Sequence, residues 1–144
     1  MTQNEVKKAL SAASDAYYRY RAKYDEMNAF ADQLAIKPML YTGSGGGKAT
    51  KANGTEAGYV ALAALEDRVY ELYLAWLSAR DRVSDMIAEC DDCKAAAVLT
   101  YRYLNGKSFE ETALFMGISV QHMFRLHKKG LQSLAKKYAE NESK

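Results

Sequence analysis

Gln121 and Arg125 stand four residues apart in VQHMFRLHKKG, a spacing that puts both on one face of a helix. In a DNA major groove a Gln amide pairs bidentately with adenine and an Arg guanidinium with guanine. Val120 and Phe124 repeat that spacing beside them and can press on thymine methyl groups. His122, Lys128 and Lys129 lie on the same stretch and suit phosphate oxygens. Upstream, Lys107, Ser108 and Tyr101 can add contacts to a nucleic-acid backbone. Between Met116 and Ala139 the chain carries Arg125, Lys128, Lys129, Lys136, Lys137, both histidines and no acid. Between Glu56 and Glu89 acids outnumber arginines. The net charge of +2 argues nothing alone, but its concentration at one end fits a polyanionic partner.

Those side chains need a scaffold, and the neighbouring residues predict a helix-turn-helix. Phe109, Ala113, Leu114, Met123 and Leu126 form an apolar set between two short helices, 109–116 and 120–138. Ala113 is small enough for the helices to cross closely. Gly117 falls where a tight turn needs positive φ. Ser108 with Glu111 three residues on is a capping box opening the first helix. Ser119 is the expected N-cap of the second. Met123, Leu126, Leu131 and Leu134 should face inward. Val120, Gln121, His122, Phe124, Arg125, His127, Lys128 and Lys129 are then outward or flanking. A leading helix from Cys93 to Tyr103 is expected to start on a cap at Asp91 or Asp92 and to end at Asn105-Gly106.

Residues Leu99 to Leu134 resemble region 4 of sigma-70-type sigma factors, the part that reads the −35 promoter element. The matching pieces are YRYLNGKSFEETA, the turn MGIS, and VQHMFRLHKKGLQSL. The pairing of RYLNGKSFEETA with RLHKKGLQSL is similar to a family of small proteins encoded by phages and prophages of Gram-positive bacteria. The resemblance implies an all-α protein that binds double-stranded DNA and regulates transcription, as phage late-gene activators do. It also implies RNA polymerase as a partner; the alternatives to a DNA-reading regulator are a sigma-like accessory that contacts the polymerase more than DNA, and a protein-interaction scaffold built on a hairpin of the preceding helices. Aligned with sigma region 4, the base-reading positions fall on Val120, Gln121, Phe124 and Arg125, where this chain departs from the charged residues common in sigma factors.

Before this part, apolar residues repeat by fours and threes, the spacing of a coiled-coil seam. Val6, Leu10, Ala13, Tyr17, Tyr20, Tyr24, Met27, Ala31 and Leu34 make one stripe. Leu62, Leu65, Val69, Leu72, Trp76, Ala79, Val83, Met86 and Cys90 make another. Residues 37–54, with Pro38 and a run of Gly, read as a flexible connector. The expected fold is therefore all-α: a long antiparallel helical hairpin over 1–90, then a helix-turn-helix domain over 91–140. A two-helix hairpin buries only one stripe per helix. It should pack on the C-terminal helices, on a second copy of the chain as a homodimer, or on both.

Other chemistries find little support. GSGGGK lacks the outer Gly at position 42 and the Ser or Thr after Lys48 that a phosphate-binding P-loop needs. Cys90 and Cys93 form one CxxC without the second ligand pair of a structural zinc site, so no metal and no cofactor is expected. The acids and histidines form no constellation with a nucleophile, which points away from an enzyme. No run of about 20 apolar residues spans a membrane, and no signal core opens the chain. A cytoplasmic protein of a bacterial host cell, with reduced thiols, is expected.

Overall fold

The computed structural model is all-helical among the residues it describes, 1–41 and 48–142. Two long helices, α1 (Gln3–Tyr41) and α2 (Lys48–Ala88), precede three shorter ones, α3 (Cys93–Leu99), α4 (Phe109–Met116) and α5 (Val120–Glu142). A π-helical turn, Thr100–Leu104, continues α3. Both long helices run further into the expected 37–54 connector than glycine and proline content suggests. Residues 42–47 of that connector lie outside the described residues. No helix of the described residues is long and apolar enough to cross a membrane.

The chain divides into two compact units. One comprises Met1–Ala16 with Trp76–Lys144, the other Tyr17–Ala75. The division cuts through both long helices, whereas the sequence pattern suggests a boundary near residue 90. The reason is where the apolar stripes find partners. Val6, Leu10 and Ala13 of α1 and Val83, Met86 and Ile87 of α2 share one core with Leu99, Tyr103, Leu131 and Leu134. Leu10, Leu99 and Leu134 are fully buried there. Removing about one such leucine side chain from water contributes on the order of 2 kcal/mol.

A second, smaller core joins α3, α4 and α5 through Val98, Ala113, Met123 and Leu126, with Phe109, Met116 and Ile118 at its edge. Here the expected apolar set needs one correction. Leu114 does not face inward; it is 83% exposed, and Val98 of α3 fills the core instead. Ala113 and Met116, three apart, already define the inner side of this two-turn helix, and Leu114 is rotated about 100° from Ala113. Gly130 allows a close approach of α5 to α3: a Cβ there would sit 3.0 Å from Leu99 Cδ1.

In the Tyr17–Ala75 unit, Tyr20 of α1 lies edge-on to Tyr73 of α2 with ring centroids 5.5 Å apart. Leu34 closes over Gly58, where an added Cβ would fall 2.5 Å from its Cδ2. Val69 is the one buried hydrophobic side chain among the described residues of this unit.

Candidate nucleic-acid interface

The start of α5 is fixed by local chemistry. Gly117 ends α4 in the left-handed region, φ 68° and ψ 34°, and its N–H donates to the Leu114 carbonyl. The Ile118 N–H reaches the Ala113 carbonyl at 3.0 Å. The Ser119 hydroxyl accepts from the His122 N–H at 3.1 Å, capping α5. The start of α5 is the positive end of its helix dipole.

Val120, Gln121, Phe124 and Arg125 are all exposed on this first stretch of α5, Val120 at 41% and Phe124 at 46%. Met123, Leu126, Leu131 and Leu134 are buried behind them, as the pattern predicts. Phe124 is braced rather than free. Its ring lies 4.9 Å from Phe109, and the Arg102 guanidinium sits 4.5 Å over the other ring. The π-helical turn, closed by the Asn105 N–H on the Thr100 carbonyl at 3.0 Å, carries Arg102. Arg102 also donates to the Lys107 carbonyl at 3.4 Å, while its buried Nε has no acceptor.

The candidate phosphate contacts divide into two groups. His122 and Lys128 are exposed, and Arg125 and Lys128 take part in no ion pair among the described residues. Lys129 is committed elsewhere. Its ammonium lies 2.6 Å from Oδ2 of Asp92, which raises the lysine's pKa. Asp92 is correspondingly held below the ordinary carboxylate range, first by Lys129 and then by the N–H groups of Lys94 and Ala95. Lys137 pairs with Asp91 at 2.9 Å. Ser108 is spent on its cap: its hydroxyl accepts from the Glu111 N–H and its own N–H donates to the Glu111 carboxylate. Lys107 is half-buried, with its ammonium 5.2 Å above the Phe115 ring.

His127 is corrected from outward to buried. Nε2 lies 2.8 Å from the Tyr103 hydroxyl, which donates when Nε2 carries the lone pair. Phe109 meets the imidazole edge-on at 5.2 Å. Burial, with the positive charges of Lys7 and Arg102, lowers its pKa to about 4. It is a neutral core residue at physiological pH.

Sequence reasoning missed a neighbouring apolar patch. Leu114 and Phe115 of α4 are exposed, and Tyr101 packs edge-on against Phe115 at 4.8 Å. The signal was the helical period itself, which turns 114 and 115 away from the side that holds 109, 113 and 116. Cys90 and Cys93 are free thiols, and no group of three potential metal ligands occurs among the described residues. No protein-family model, curated protein or solved structure matches the chain.

Proposed function

We propose that α4, the turn at Gly117 and α5 act as a helix-turn-helix that reads duplex DNA, and that the chain is a phage-type transcription regulator. In this reading α1 and α2 form an antiparallel helical hairpin. The observation that carries the proposal is the joint exposure of Val120, Gln121, Phe124 and Arg125 at the capped start of α5. A helix entering a major groove contacts base edges with its N-terminal residues. Gln121 and Arg125 supply the polar readout, Val120 and Phe124 the apolar one, and Lys128 and His122 the phosphate contacts. Lys107 contributes from the segment just before α4, and Ser108 and Lys129 add contacts only where their present partners yield.

A second reading is a sigma-like accessory that contacts RNA polymerase more than DNA. The exposed Leu114 and Phe115 favour it, since apolar side chains of this size on one short helix suit a protein surface. Selection of bound sequences from a random duplex library, followed by mobility shifts at several salt concentrations, tests the first reading. Enrichment of one motif supports it. No enrichment, together with co-purification of polymerase, favours the second.

A further inference from the structure

We propose that the tyrosine-lined side of the Tyr17–Ala75 unit is a docking face for a second copy of the same chain. This inference stands apart from the DNA reading. Two helices touching along one seam have little core, and this unit has Val69 as its buried hydrophobic side chain among the described residues. Most helical stability in proteins comes from covering an apolar face, so such a unit gains from further cover.

The face that needs it is identifiable. Tyr59, Tyr70 and Leu74 are spaced by eleven and four, which sets them on one strip of α2. They are 59%, 63% and 47% exposed. The Tyr20–Tyr73 contact brings the tyrosine row of α1 beside that strip, with Tyr17 still 38% exposed. A tyrosine side chain offers about 200 Å², so Tyr17, Tyr59 and Tyr70 of two facing copies would remove roughly 600 Å² from water. Leu74 and the flanking atoms bring this towards the roughly 1,000 Å² that a specific interface requires.

Charge selects the occupant. Glu66 and Asp67 interrupt the strip between Tyr59 and Tyr70 and join no ion pair among the described residues. Arg21 borders the same side on α1, with its guanidinium 5.3 Å from the Tyr24 ring and its Nε 3.6 Å from Oδ1 of Asp25, an exposed pair that leaves its outer N–H groups to a second acid. In a two-fold pair the arginine of each copy answers the acids of the other, as an isologous interface demands. Unpaired acids on the face disfavour a nucleic acid there.

Sedimentation equilibrium of the full chain tests this. The expected result is a species of twice the 16.1 kDa chain mass at micromolar concentration. Tyr70→Arg and, more gently, Leu74→Gln should each raise the dissociation constant at least about tenfold, a loss of roughly 1.4 kcal/mol, with helical circular dichroism unchanged. Arg21→Glu should weaken the pair, and adding Glu66→Arg should restore it. A monomer at all concentrations, a larger assembly, or a dimer indifferent to these changes overturns the proposal.

Discussion

Oδ2 of Asp92 lies 2.6 Å from Nζ of Lys129, so the residue that starts α3 also holds the middle of α5. Its Oδ1 meanwhile accepts from the N–H of Lys94 at 2.9 Å. One carboxylate thus ties two helices and occupies a cation that would otherwise be available to phosphate. Asp92→Asn keeps a good N-cap and loses the charge. Bound to random duplex, this variant should gain affinity, and its plot of log affinity against log salt should steepen by about one. Fluorescence anisotropy at several salt concentrations measures both, and an unchanged slope would show that Lys129 stays out of reach of DNA.

Arg125 and Lys128 should separate by type of loss. Arg125→Ala is expected to cost about 1–3 kcal/mol on a selected site and much less on random sequence. Lys128→Ala should weaken both alike and flatten the salt dependence. Equal losses for Arg125→Ala on both duplexes would remove it from base readout.

Met123 and Leu114 make a contrast in stability that the sequence alone would have got wrong. Met123 is fully buried, and Met123→Ala should cost about 2–5 kcal/mol in denaturant unfolding. Leu114→Gln should stay within about 0.5 kcal/mol, as surface changes do. A large loss for Leu114→Gln would mean that this side chain is covered in solution.

His127 gives a pH dependence with a definite sign. Its folded value of about 4 lies below the ordinary value of 6.5, so the unfolded chain binds the extra proton between them. The stability that neutral burial supplies is complete above about 6.5 and is lost as pH falls towards 4, on the order of 3 kcal/mol in all. His127→Gln can keep a hydrogen bond to Tyr103 but cannot titrate. The difference in unfolding free energy between pH 7 and pH 4.5 should therefore shrink in the variant. Identical pH profiles would place the imidazole in water.

Local chemistry was legible and tertiary chemistry was not. The capping box at Ser108 and Glu111, the positive-φ glycines at 106 and 117, and the caps at Asp92 and Ser119 each depend on residues within a few positions of one another. All are found where the sequence indicates. The inward residues of α5 were equally readable from their period. The burial of His127, by contrast, depends on Tyr103, 24 residues away, and on Phe109. The capture of Lys129 by Asp92 likewise depends on how α5 crosses α3. Nothing in the pattern announces the π-helical turn, because one extra residue per turn leaves composition unchanged.

The shared core of Val6, Leu10, Val83, Leu131 and Leu134 has a consequence for biosynthesis. A ribosome releases the first of these side chains long before the last exists. The opening turns of α1 must therefore wait, solvated or chaperoned, until residues as far as Leu134 have emerged. A fragment beginning at residue 91 would carry Leu99, Leu131 and Leu134 without the side chains that cover them, so any expressed piece meant to keep α3 to α5 folded should also keep Val6, Leu10 and Val83.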